Sequence, residues 1–384
     1  MNRKQFIILL VLVAVIGAAG LLVRQRGKES WQSGGLAIGQ KLLPNLAVND
    51  IAQITIKTGT NELILAKRDN LWRVRERADY PANFSDISGL LVKLADLKIV
   101  QTEEIGPSQL GRFELLPPGT ATNTGTQLDL KDQSGRSLNS LLLGKKHIAK
   151  PPKNSQFPGG DEGWPDGRYV KAGADAKAVA VISDALDNVQ PKPEQWLNKD
   201  FLNIEKPRSV AVQFPEATNS WKLTRASETN DWQLADAKAG EKLDSSKISS
   251  VTTLFSSPSF NDVAAANTFN AAGNTVLTVE TFDGFNYVAK IAPKQEENYP
   301  VTFTVTANLV SERATAKDEK PDDKAKLDKA FKDGQTKLAD KLAKEKALAN
   351  WVFLVPTYTV DEVIKSRAQL LTEPSTNSAT PAQK

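Results

Sequence analysis

One phrase is written twice in this chain. Residues 69–74 read DNLWRV and residues 230–235 read NDWQLA, each with a Trp just after an Asn/Asp pair. Self-similarity of this kind constrains a fold strongly, because both copies must build the same supersecondary unit. Around the first copy, AQITIKTG (52–59), NELILAKR (61–68) and LWRVRER (71–77) alternate apolar and polar residues. That period of two predicts half-buried strands, and the Gly and Asn/Asp turns between them predict an antiparallel meander.

The meander is followed by YPANFSDISGLLVKLADLKIV. Ile87, Leu90, Leu91, Leu94 and Leu97 recur there at helical spacing, with Ser85 placed to cap the start. Further strands are expected at 126–132, 138–145, 168–172 and 178–183, and DALDNV forms a short helical close. The second half runs in the same order. Strands are predicted at 209–215, 220–226 and 231–236, then a helix in LDSSKISSVTTLFSS with Ile248, Val251, Leu254 and Phe255 on its apolar face. Strands at 275–284, 285–293 and 301–307 follow. WVFLVP (351–356) is matched with RYVKAG of the first half, and TVDEVIKS with its closing helix.

The fold class expected is therefore α+β: an N-terminal transmembrane helix, then two repeated β-meander–helix–β domains with antiparallel sheets and a helical insertion in the second. The boundaries expected are a signal-anchor over 1–28, a linker over 29–46, a first repeat over 47–189 and a junction over 190–208. The second repeat covers 209–366 with its insertion at 309–349, and 367–384 has the composition of a disordered tail. Trp72, Leu91 and Leu94 are assigned to the core of the first repeat, and Trp232, Val251 and Leu254 to that of the second. A large ring on the third strand would pack on the helix that follows.

The first 28 residues carry Arg3, Lys4, Arg24, Arg26 and Lys28 and no acid, around an uncharged apolar run from Phe6 to Val23. At 1.5 Å per residue such a run spans roughly 27 Å, enough for a bilayer core. The small residues Gly17–Gly20 offer a cleaved signal peptide as the alternative. Leu21, Leu22 and Val23 continue the apolar run past them, which favours an uncleaved anchor, and the bulk of the chain is expected outside the cytoplasm because a short N-terminal arm before a single span most often stays inside. Taking away those five cations from the formal charge of +4 leaves 44 basic against 45 acidic residues. A neutral body lacks the concentrated basic face of a nucleic-acid binder.

Chemistry is scarce in this sequence. It holds no Cys and one His, which excludes disulfides and Cys-based zinc sites. His147 sits in the basic stretch GKKHIAKPP and reads as an exposed loop residue. Asp161, Glu162 and Asp166 fall in a Gly/Pro-rich loop without EF-hand spacing. No catalytic residue, metal or cofactor is assigned, and the protein is expected not to be an enzyme.

Trp164 at that loop is the aromatic residue assigned to partner contact. Leu327, Phe331, Leu338 and Leu342 join it, as a narrow apolar stripe in the 309–349 insertion among alternating Lys and Asp/Glu. That insertion is read either as an amphipathic helix or helical hairpin laid on its own sheet or as an arm that docks a partner, with Gly334 bending or interrupting it.

Several phrases in order resemble a bacterial family catalogued as domain of unknown function 4340. They are LLPNLAVNDIAQITIKTG (42–59), LWRV, LGRFELLPP (110–118), SLLLGKK (140–146) with GRYVKA (167–172), and PEQWLNKDFLNIEKPRSVAV (193–212). The resemblance covers most of residues 42–310. It implies a membrane-anchored envelope protein whose partners are inner-membrane proteins such as ABC-type exporter subunits, and it implies no reaction. The reading that follows is a non-catalytic periplasmic scaffold or accessory protein. The alternative is a ligand-binding module for a glycan, peptide or lipid between the repeats, with Trp164, Trp196 and Trp221 as stacking rings.

Overall fold

The computed structural model describes residues 37–149, 164–172, 178–253, 258–270, 272–315 and 319–372. The apolar run 6–23, the carboxylates Asp161 and Glu162, Leu254 with Phe255, and residues 373–384 of the expected tail lie outside the described residues, whereas Arg367–Leu370 form a short 3-10 helix with Arg367 and Leu370 buried. Among the described residues no helix is long and apolar enough to cross a membrane.

The protein is α+β, with two antiparallel sheets and few helices. The first sheet uses β1 (Gln53–Thr58), β2 (Asn61–Arg68), β3 (Leu71–Val74), β4 (Tyr80–Pro81), β5 (Ile99–Glu104), β6 (Thr126–Lys131), β7 (Ser137–Ala149), β8 (Trp164–Ala172) and β9 (Ala178–Ile182). Its order is β4-β3-β2-β1-β6-β7-β8-β9-β5, and helix α1 (Phe84–Asp96) lies in sequence between β4 and β5.

The second sheet uses β10 (Pro207–Gln213), β11 (Trp221–Thr224), β12 (Gln233–Leu234), β13 (Asp262–Ala265), β14 (Thr275–Thr281), β15 (Phe285–Ile291), β16 (Asn298–Ala307) and β17 (Trp351–Pro356). Its order is β12-β11-β10-β14-β15-β16-β17-β13, with α2 (Ser245–Thr253) between β12 and β13 in sequence. Strand for strand the two orders are the same, apart from β4.

That equivalence corrects the sequence reading in two places. WVFLVP is β17, and it takes the place of β9 (AVAVI), not of RYVKA. The insertion before it therefore belongs at the β8–β9 connection rather than at the Pro/Gly loop before β8. The edge strands β5 and β13 were also not expected. Leu97 and Ile99 extend the apolar spacing of α1, so the sequence runs the helix on, whereas the chain leaves it at Asp96 and pairs Ile99–Glu104 with β9.

Two compact units emerge. The first takes residues up to Trp72 together with Phe84–Lys192; the second takes Arg73–Asn83 together with residues from Pro193 onward. The sequence suggested an unbroken first repeat over 47–189, so the assignment of Arg73–Asn83 is a finding of the structure.

In the first unit Ile54, Ile56, Leu63, Leu65, Leu128 and Leu130 are fully buried on the sheet, as are Ile87, Leu90 and Leu94 of α1. Leu91 is also buried. α1 begins at Phe84, so Ser85 lies inside the first turn instead of capping it. Asp69 and Asn70 both have positive φ, 50° and 62°, which makes the two-residue β2–β3 loop a primed hairpin turn. The tight turn places Trp72 on β3, where it is buried.

The second copy is built differently. Eight residues separate β11 from β12, and Trp232 falls before the strand begins. Its ring is half-buried, with the Arg225 guanidinium 4.8 Å from its centroid. The structure thus corrects the core assignment of Trp232, because a longer loop cannot hold the residue in the register that a two-residue turn enforces. Val251 and Ile248 of α2 are buried. Asp244 caps this helix, accepting from the backbone N–H of Ser246 at 3.0 Å, and a second bond from the Ser246 hydroxyl at 2.6 Å holds its carboxyl below the usual carboxylate range.

Candidate functional site

The insertion forms α3 (Pro321–Ala347), an unbroken helix of 27 residues with Pro in its first turn. Gly334 does not interrupt it. Two halves of the helix have different surroundings. Every described side chain from Pro321 to Ala330 is exposed, and Leu327 keeps 47% of its surface. Phe331, Leu338 and Leu342 are half-buried, and Glu345 is buried. The helix is therefore rooted at its C-terminal end and exposed along its first ten residues, where Asp328 is held by Arg313.

The root is polar and specific. Tyr287 on β15 donates its hydroxyl to Glu345 Oε2 at 2.8 Å, and the backbone N–H of Asn203 donates to Glu345 Oε1 at 3.2 Å. Lys341, one turn earlier, pairs with the same carboxylate and donates to the Asn203 carbonyl. Its ammonium stands 5.5 Å from the Phe285 ring, which stacks on Tyr287 at 5.8 Å. A buried carboxylate is tolerable only with such partners. Burial and the Glu345 bond push the Tyr287 phenol well above its ordinary range. At the other end Arg313 grips both Glu319 oxygens at 2.7 Å and reaches Asp328 Oδ1 at 2.8 Å. The Tyr287–Glu345 pairing has no sequence signature, since the two residues are 58 positions apart.

Trp164 opens β8 and keeps 54% of its surface exposed, with Ile148 on β7 at 41%. Ala149 pairs with Trp164 and Ile148 with Pro165, so both lie where the described part of the β7–β8 hairpin ends. His147 belongs to β7, which corrects its reading as a loop residue. Its Nδ1 shares a 2.6 Å hydrogen bond with Asp166 Oδ1, an acid brought opposite by strand pairing. Among the described residues no group of three or more His, Asp or Glu is placed to hold a metal ion. Trp196 and Trp221 are buried within the second unit, and Trp221 donates its indole N–H to the Lys365 carbonyl at 2.7 Å. They are packing residues rather than exposed stacking rings.

Within the second unit, Arg73–Asn83 is held as a strap. Tyr80 is buried edge-on against Phe260, Trp351 and Phe353, with centroids 5.9, 5.0 and 6.0 Å away. The Trp351 indole donates to the Ala78 carbonyl at 3.1 Å, and Asn198 and Asn83 exchange backbone bonds with Pro81 and Trp196. A second clamp holds the C-terminal segment: buried Arg367 reaches Asp236 at 2.8 Å and Glu241 at 2.7 Å. The Arg367 bond holds the Glu241 carboxyl at about 2.

The family model described as Domain of unknown function (DUF4340) matches residues 72–275, more than half of the chain. The chain belongs to this family. The DUF4340 match starts at Trp72 and ends at the first residue of β14, so it takes in the strap, α1, α2 and the partners of Tyr80 and Arg77 up to Asp262. Helix α3 lies beyond it. No curated protein and no solved structure matches the chain.

Proposed function

We propose that this DUF4340 protein is a non-catalytic scaffold of the bacterial envelope, anchored in the inner membrane by Phe6–Val23 with its bulk in the periplasm. Its partners are other inner-membrane proteins, with subunits of an ABC-type exporter as the expected class. The observation that carries the reading is the construction of α3: a helix fixed at one end by a buried, fully partnered carboxylate while its first ten residues stay exposed. Such a helix presents a docking face without ordering cost, since it is already folded. Trp164 and Ile148 at the β7–β8 tip are a second contact surface of the same kind.

The test is crosslinking of the full-length protein in intact cells, comparing the parent with Leu327→Glu. Leu327 is exposed, so the change leaves the fold intact. Recovery of exporter or other inner-membrane subunits that drops at least fivefold in the variant supports the reading. Equal recovery moves the contact away from α3, and recovery of no inner-membrane protein rejects the scaffold.

A further inference from the structure

Residues 105–125 connect β5 to β6 and contain the phrase LGRFELLPP (110–118). Connections longer than about 12–15 residues are uncommon, and function is the usual reason for one. Pro107–Phe113 form a 3-10 helix, and Leu115 just after it is buried. Leu115 packs with Leu142 of β7 and Val179 of β9, and Ile105, Leu110, Phe113 and Tyr169 pack around these three. The Phe113 and Tyr169 ring centroids lie 4.7 Å apart. Leu142 points away from its neighbours Leu141 and Leu143, which belong to the main core, so this cluster lies on the other face of the sheet.

The sheet is shaped to receive this segment. A Cβ at Gly144 would overlap the Phe113 carbonyl, and one at Gly125 would stand 2.6 Å from the Glu114 carbonyl. Yet no hydrogen bond ties the segment down. Among the described residues, the hydrogen bonds of 106–124 close within the segment or on Gly125 beside it. Gln109 donates its backbone N–H to the Gly106 carbonyl, Glu114 to that of Gly111, Leu115 to that of Leu110, and Gly125 to that of Leu116. The hold on β7 and β9 is apolar packing, with the charge of Glu114 acting on the Arg168 guanidinium of β8. Glu114 has φ 54°, a left-handed conformation that a non-glycine residue keeps only where its surroundings impose it.

We propose that residues 106–124 form a lid, which lifts as one unit and uncovers Leu142, Tyr169 and Val179 while the sheet stays folded. Its own hydrogen bonds travel with it, so opening costs apolar contacts, breaks no hydrogen bond to the sheet and relieves Glu114. The closed lid keeps from water an apolar face that the open lid presents.

The chain has no Cys, so one introduced thiol reports alone. Val179→Cys places it under the lid and Leu128→Cys places it in the main core; both parent side chains are buried. Each full-length variant is treated with the thiol reagent DTNB under native conditions. A thiol freed by local opening reacts faster than one that waits for global unfolding, so the Val179→Cys thiol should react at least about tenfold faster than the Leu128→Cys thiol. Adding Phe113→Ala, which removes the ring packed on Tyr169, should quicken the first at least fivefold and leave the second unchanged. Gly144→Ala should do the same by lifting the Phe113 carbonyl from β7. Equal rates at the two thiols, or quickening of both alike by Phe113→Ala, would overturn the lid.

Discussion

The guanidinium of Arg77 donates to both carboxylate oxygens of Asp262, at 2.7 Å from Nε and 2.8 Å from Nη2, between residues 185 positions apart. Both groups are mostly shielded from water, with side-chain exposures of 24% and 21%. A two-pronged, partly desolvated pair is stronger than a surface contact. Arg77→Ala should cost about 1–3 kcal/mol, and Asp262→Ala a similar amount. Urea denaturation of the two single variants and the double variant checks this; strictly additive losses would remove the pair as their cause.

The strap also predicts how the chain can be cut. A fragment beginning at Pro193 lacks Tyr80 and leaves Phe260, Trp351 and Phe353 without their central ring. That fragment should fail to give a cooperative thermal transition, and adding a peptide of residues 73–83 should restore part of it. In the whole protein Tyr80→Ala should cost about 3–5 kcal/mol, as large buried rings do. A cooperative melt of the unaided fragment at the parent temperature would show the strap to be dispensable.

Removing one hydroxyl should loosen the root of α3. Tyr287→Phe leaves buried Glu345 short of one donor, at a cost of about 1–3 kcal/mol. Hydrogen exchange should quicken across residues 331–347 and stay unchanged in β10. Uniform acceleration throughout the second unit would instead mean that Tyr287 supports the sheet as a whole.

Stability should fall on the acid side through the Arg367 clamp. Glu241 titrates at about 2 in the folded chain against an ordinary 4.5, so it binds protons more weakly folded than unfolded. Its contribution is complete above pH 4.5 and is lost as pH falls from there toward 2. The melting temperature of Glu241→Gln should lie below the parent's at pH 7, and the gap should close across that window. A constant gap would contradict the assignment.

The alkaline side has its own marker. Burial, with the hydrogen bond to Asp361, raises the Tyr299 phenol from 10 to about 12. A raised acid stabilises the fold below its unfolded value, so this contribution is present below pH 10 and lost as pH rises toward 12. Tyr299→Phe should flatten that part of the melting curve against pH, and absorbance near 295 nm should show one fewer late-titrating phenol.

Alternation and helical spacing in the sequence determined the strands of the first meander and most of the second, the apolar face of α1, the Ile248–Val251 pair of α2, and the helical character of the insertion, though not its unbroken course through Gly334. These are local patterns, set by where consecutive side chains point along a strand or helix, and a linear sequence records them directly. The duplicated Trp was legible too, yet only the structure separated buried Trp72 from half-buried Trp232, because turn length sets the register.

What tertiary structure alone decided is the set of long-range pairings. Arg73–Asn83 belongs with Phe260 and Trp351, Glu345 answers Tyr287 and Asn203, and His147 finds Asp166 across a strand pair. Each joins residues tens to hundreds of positions apart, and nothing in the spacing of either partner marks the other.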